Sequence, residues 1–298
     1  MSDEKRSRVE PSVAAIVVTR NRSDVLHATL HAIASQIRAP DFIVVVDNDS
    51  SDDTRSRLAR DWPNVELIAL SENAGNAGGL AAGMSAALPR AHDVFWLLDD
   101  DSTPAPSALA RLLEALPAAR RPGVIGTSGG VLRSGRIRHV RSPQQISTLR
   151  VAGPGIRACD FTLVDGAIVT REAVEAVGLP RADFFMMMED LDYTMRVKGA
   201  GFDVLVTDTD LMDRGHLGSS GAEGSYTWRS YYQSRNHLRM ALDRRSATLL
   251  WGWLAREGAY GARYFRTAHG RALLRLRARG ARDAVFNRMG RTVEPDSV

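Results

Sequence analysis

Three aspartates in a row, Asp99-Asp100-Asp101, directly follow the apolar run Val94-Phe95-Trp96-Leu97-Leu98. Adjacent carboxylates raise one another's pKa unless a cation neutralises them. Their oxygens suit a hard divalent ion, Mn²⁺ or Mg²⁺, which can bridge two phosphates and stabilise a departing diphosphate. In an extended segment alternate side chains point the same way. Asp99 and Asp101 are therefore expected on one metal, with Asp100 turned toward the donor or a neighbouring basic group. An isolated acidic triplet is more often a solvated turn before a helix, here near Pro104. The buried strand directly ahead of it tips the balance toward a site.

A second acidic group, Glu189-Asp190-Leu191-Asp192, opens a helical pattern. Transfer to a hydroxyl needs a carboxylate to accept its proton during attack, and Asp190 is the candidate base. Glu189 either orients an acceptor or fixes Asp190, and Trp96 is assigned to the acceptor side. Asp192 stands four residues before Arg196 and reads as a helix pair. Acid at a helix N-terminus is also favourable charge placement, and both readings hold together. His216, in a Gly-rich loop, suits either a metal shell or exposed polar surface. His27 and His31 have ligand spacing but no third partner, and read as structural.

The elements that must position these groups follow from periodicity. Apolar runs Val13–Val18, Phe42–Val46, Val65–Leu70, Val94–Leu98 and Val124–Gly126 read as strands, with helices between them. Such alternation predicts an α/β fold with a mostly parallel sheet flanked by helices, whose ligands bind beyond the strands' carboxyl ends. Asp47-Asn48-Asp49 and the aspartate run then share one rim. Asn73 to Gly79 opens a helix and offers backbone N–H groups to phosphate or a sugar hydroxyl, with neither a Walker A nor a GxGxxG pattern. Residues 128–159 read as a loop-rich insertion, 183–188 as a strand, and Ala247 to about Arg279 as one helix.

The chain has 298 residues, 44% hydrophobic, one cysteine and a net charge of +4. That composition supports a large core without disulfides. From Arg244 onward twelve arginines face four acids, so the basic balance lies in the tail. No signal peptide or transmembrane segment is expected, which places the protein in the cytoplasm or peripherally on the inner face of the membrane. Charge alone would allow nucleic acid, but no recognition motif supports it. We divide the chain into a catalytic domain, 11–225, and a C-terminal helical, basic region, 226–298.

Val17-Val18-Thr19-Arg20-Asn21-Arg22, Val45 to Asp52, Asn73 to Gly79, Trp96 to Asp101 and Glu189 to Tyr193 occur in an order that resembles the inverting GT-A glycosyltransferases of family 2. The likeness covers roughly residues 13–240 and is nearest to bacterial rhamnosyl- and galactofuranosyltransferases of cell-wall and polysaccharide assembly. It implies a nucleotide-sugar donor, a UDP- or dTDP-sugar, and a glycan, lipid-linked or small-molecule acceptor. It implies Thr19, Arg20 and Asp47 at the nucleotide, Asp99 and Asp101 at metal and diphosphate, and Asp190 as base. His216, 26 residues beyond Asp190, corresponds to a metal-shell histidine of the galactofuranosyl branch. Tyr231-Tyr232-Gln233-Ser234-Arg235-Asn236 is similar to a stretch of that branch, which puts Arg235 at the diphosphate or in a structural role.

Trp251, Trp253, Tyr260, Tyr264 and Phe265 mix with Arg256, Arg263 and Arg266. This pattern over 246–298 suits a membrane surface or a helical appendix packed on the catalytic domain. A sugar-phosphate nucleotidyltransferase and a non-catalytic assembly subunit are the rival classes. The first lacks its expected basic Gly-rich loop, and the second would bind membrane without transferring a donor.

Overall fold

The computed structural model describes residues 10–209, 211–214 and 227–294. In chain order it forms β1 (Val13–Thr19), α1 (Ser23–Ala34), β2 (Phe42–Asp47), α2 (Thr54–Asp61), β3 (Glu66–Ala69), α3 (Gly75–Ala87) and β4 (Val94–Asp99). There follow β5 (Ser102–Pro104), α4 (Ala108–Ala115), β6 (Pro122–Gly126), β7 (Gly129–Arg133), β8 (Arg136–Val140), α5 (Pro143–Ile146), β9 (Arg150–Gly153), β10 (Ile156–Ala158), β11 (Phe161–Thr162) and β12 (Ala167–Thr170). The chain continues through α6 (Arg171–Val177), α7 (Glu189–Gly199), β13 (Asp203–Thr207) and β14 (Met212–Arg214) to three helices, α8 (Thr227–Asp243), α9 (Ala247–Tyr264) and α10 (Ala268–Val285).

Nine strands build the main sheet in the order β3-β2-β1-β4-β12-β6-β13-β10-β9. β3, β2, β1 and β4 are parallel, and so are β6 and β13. β12 and β10 run against their neighbours. Alternate residues of a strand face opposite sides. Ala14, Ile16 and Val18 pack with Leu80 and Met84 of α3, while Val13, Ala15 and Val17 pack with Leu26, Leu30 and Ile33 of α1. Burial on both faces is why these strands read as unbroken apolar runs.

Three expectations need correction. Residues 128–159 are structured: β7 and β8 pair in a hairpin, β11 joins β7, and β9 and β10 extend the main sheet. Their signal is hidden by glycine. A Cβ on Gly130 would stand 2.4 Å from both the Arg138 carbonyl oxygen and the Phe161 ring. Residues 183–188 are not a strand. A 3-10 turn over Ala182–Phe184 leads into Phe185, Met187 and Met188, all at positive φ. Three carbonyls of this segment find a side chain in place of a ladder, since Asn236 Nδ2 donates to the oxygens of Phe184, Met186 and Met187 at 2.9, 3.0 and 2.8 Å. The C-terminal helix is two helices, because Ser246 and Thr267 each cap a new start, on Leu249 and Gly270.

Candidate active site

Strand order sets the site. β2, β1 and β4 lie side by side, with Thr19 opposite Asp47 and Val18 opposite Asp99. Their polar ends therefore form one rim at the carboxyl edge of the sheet, as expected for this fold class.

The aspartate run is not extended. β4 ends at Asp99, and Asp100 and Asp101 lie in a turn, so the alternation argument does not apply past Asp99. Asp100 folds inward. Its carboxylate accepts from Thr19 Oγ1 at 2.8 Å and Arg22 Nη1 at 3.2 Å, and its carbonyl accepts from Thr29 Oγ1 at 2.6 Å. Asp101 accepts from the same Arg22 Nη1 at 2.7 Å. Asp165 supports the turn from β12's side, accepting from the Asp99 amide at 3.1 Å and Ser102 Oγ at 2.6 Å. Arg22 and Asp165 belong to this rim although residue type and spacing did not single them out. Arg22 stood inside a quoted motif, but Asp165 carries no local signal.

Burial pushes the Asp99 carboxyl well above the usual carboxylate range, and the charges of Asp165, Asp190, Asp101 and Asp100 push it further. Asp190 at the start of α7 thus belongs to the same electrostatic site as the aspartate run. Several carboxylates facing one another, of which Arg22 pairs with Asp100 and Asp101, fit a hard divalent ion, because such an ion relieves their repulsion. Among the described residues no group of three or more His, Cys, Asp or Glu is gathered to hold a metal alone. A metal here would need substrate phosphates or further protein ligands, as Mg²⁺ sites commonly do. His216 lies outside the described residues. Among the described residues, Arg214 of β14 pairs with Ser102 directly beside the aspartate turn.

The helix α3 N-terminus is locked by local bonds. Asn73 Oδ1 accepts from the Gly75 amide at 2.9 Å. Asn48 accepts from the Ala74 amide at 2.8 Å and donates to the Gly75 carbonyl at 3.1 Å. Asp47 is fully buried and ion-paired with Arg55, and accepts from the Ser50 amide. Arg20 is exposed on the rim. Glu189 is buried, and burial raises its carboxyl to about 7. Asn76 Nδ2 donates to its Oε1 at 3.5 Å, while Oε2 has no partner among the described residues. Asp192 pairs with Arg196 at 3.0 Å, as its spacing predicts, and with Arg244 at 3.1 Å. His27 is structural: its Nδ1 accepts from Trp62 Nε1 at 3.2 Å.

Two assigned residues do not reach the rim. Trp96 is fully buried in the α1-side core and cannot meet an acceptor, because its place in β4 points it inward. Arg235 is fully buried too. Its guanidinium donates to the carbonyls of Gly290 at 2.7 Å and Phe184 at 2.9 Å, so it clamps α8 to the segment before α7.

The family model described as Glycosyl transferase family 2 matches residues 14–167, more than half of the chain. The chain belongs to this family. A galactofuranosyltransferase, GlfT1, of Mycolicibacterium smegmatis is 31% identical over 205 residues, covering 63% of this chain. The match spans 66% of that relative's own length, just under two thirds. The fold is that of GT-A glycosyltransferases. A mannosyltransferase from Pyrobaculum calidifontis, solved with GDP-Man and Mn²⁺, superposes with a TM-score of 0.60 at 19% identity over 94% of this chain and 88% of its own. TarS residues 1–349 of S. aureus gives a TM-score of 0.57 at 15% identity over 93% and 82%. No helix among the described residues is long and apolar enough to cross a membrane.

Proposed function

We propose that this family 2 protein is an inverting glycosyltransferase that moves a sugar, galactofuranose or rhamnose, from a UDP- or dTDP-linked donor to an acceptor hydroxyl. The observation that carries the reading is the convergence of Asp99, Asp100, Asp101, Asp165 and Asp190 at one sheet rim. Thr19, Arg20, Asp47 and Asn73 border the donor. Asp99 and Asp101, with His216, hold Mn²⁺ or Mg²⁺. When bound, the metal supplies positive charge to the departing diphosphate.

The remaining work falls to side chains. Asp190 accepts the proton of the acceptor hydroxyl as its oxygen attacks the anomeric carbon from the face opposite the leaving group. The bond to the donor phosphate breaks, the diphosphate leaves with the electron pair, and the configuration inverts. Glu189 fixes the start of α7 and so the base. Asp100 anchors the aspartate turn to Thr19 and Arg22.

The acceptor is a glycan on a lipid carrier, met at a membrane surface by the C-terminal helices. Support comes from Trp251, Leu254 and Phe265, which are 60%, 47% and 51% exposed on and just beyond α9. Large apolar side chains beside arginines suit the bilayer interface. Flotation with anionic vesicles, comparing the protein with a Trp251→Asp/Leu254→Asp variant, tests this face. A thermal-shift panel of nucleotide sugars with Mn²⁺ tests the whole reading. A rise with a UDP- or dTDP-hexose that needs the metal is expected, and none with any nucleotide sugar would defeat it.

A further inference from the structure

The C-terminal helices carry a charge imbalance unrelated to the sheet rim. Glu257 of α9 binds Arg277 of α10 through both carboxylate oxygens, at 2.6 and 2.8 Å. That carboxylate is then committed. Arg256, its neighbour, is ion-paired with the same carboxylate only at 3.8 Å, so its Nε makes no hydrogen bond among the described residues. Its Nη2 does donate to the Gln233 carbonyl at 3.0 Å. Beside it stands His237 of α8, only 1% exposed. Neither ring nitrogen of His237 has a partner meeting hydrogen-bond geometry among the described residues, although the Leu249 backbone lies near enough to act on the ring. Burial, then Arg256 and Arg277, drive this imidazole down to about 3. Burial and Arg277 likewise lower Arg256 to about 10.

These groups open onto a cavity of about 280 Å³ between the β7–β8 hairpin and α8–α9, lined by Arg136, Ile137, His237, Gly252, Ala255 and Arg256. A buried imidazole without a hydrogen-bond partner, beside a guanidinium whose Nε is unbonded, is costly unless something accepts their hydrogen bonds. We propose that this cavity is a binding site for a phosphate-type oxyanion, gripped by Arg256 and Arg136 with His237 as a third donor. Guanidinium groups suit such anions because their N–H forks match the oxygens. The site lies one residue from Asn236, whose amide holds the carbonyls of Phe184, Met186 and Met187 ahead of Asp190. It stands independently of the glycosyl-transfer reading.

The test is calorimetric titration of inorganic phosphate into the full chain in EDTA, which removes any metal-dependent donor binding. Saturable binding to one site is expected. Arg136→Ala, at an exposed position, should weaken it by about tenfold, the loss of one charge-assisted bond. Arg256→Gln should abolish it, and should this variant not fold, Arg136→Glu supplies the second arm. In labelled protein the His237 ring should titrate at higher pH once phosphate is bound. Vesicles of phosphatidylglycerol, compared with phosphatidylcholine, separate the sources. Binding that needs Arg136 and appears only with the anionic vesicles assigns the phosphate to a lipid headgroup and supports the site. No saturable binding of phosphate or anionic vesicles, or equal affinity in the Arg136 variants, would overturn it.

Discussion

A Cβ placed on Gly75 would stand 2.0 Å from the carbonyl oxygen of Phe185. This contact joins the two halves of the site, since the α3 N-terminus and the segment leading into Asp190 press backbone on backbone. Ala77 seals it by donating its amide to the same Phe185 oxygen at 3.1 Å. Gly75 also sits at φ +70°, a region that disfavours any side chain. Gly75→Ala should therefore destabilise the fold by at least about 2 kcal/mol. Chemical denaturation would show it, with turnover falling beyond the loss of folded protein.

Asp165 holds the aspartate turn through the Asp99 amide and Ser102. Asp165→Ala removes two bonds to a charged acceptor and should cost about 2–4 kcal/mol. Asp165→Asn keeps an acceptor oxygen and should restore much of the stability. It removes the charge, however, so metal-dependent donor affinity should still drop. Thermal melts beside donor titrations separate the two effects.

The fold was legible wherever one physical signal dominated. Val13–Val18 and Val44–Val46 are buried on both faces, and each lies in the strand its composition announces. The hairpin of β7 and β8 was not, because Gly129 and Gly130 remove the side chains that would carry the alternation. Phe184 to Met188 misled for the opposite reason. An apolar run normally signals a strand, but these carbonyls are met by Asn236 from a helix some fifty residues away. Within the site, Asp99, Asp100, Asp101 and Asp190 were readable because consecutive acids beside apolar runs are conspicuous. Asp165 is a lone carboxylate whose role comes only from β12 lying beside β4.

Glu189 makes stability depend on pH. Its folded carboxyl titrates at about 7 against an ordinary 4.5, owing to burial. Between those values the folded protein keeps a proton that the unfolded chain has lost, so stability falls as pH rises through this window. Above it the penalty reaches roughly 3 kcal/mol. Glu189→Gln should thus match the parent near pH 4.5 and gain on it by up to that amount near pH 8. Denaturation curves at the two values decide it, and a gap that is constant with pH would exclude this origin.

Arg235 serves structure, with its guanidinium bound to Gly290 and Phe184. Arg235→Ala leaves buried carbonyls unpaired and should cost roughly 3 kcal/mol or more. Donor affinity per folded molecule should stay within about twofold of the parent, since this arginine is not at the rim. A donor titration on the folded fraction checks this, and a tenfold loss there would return Arg235 to the diphosphate.

In the proposed reaction Asp190 is the base of a sugar transfer. The direct measurement is single-turnover transfer by Asp190→Asn at saturating donor, with donor affinity measured in the same preparation. Transfer should fall by about 10²–10⁴-fold while donor affinity stays close to the parent's. Normal turnover of bound donor, with or without weakened donor binding, would contradict the account.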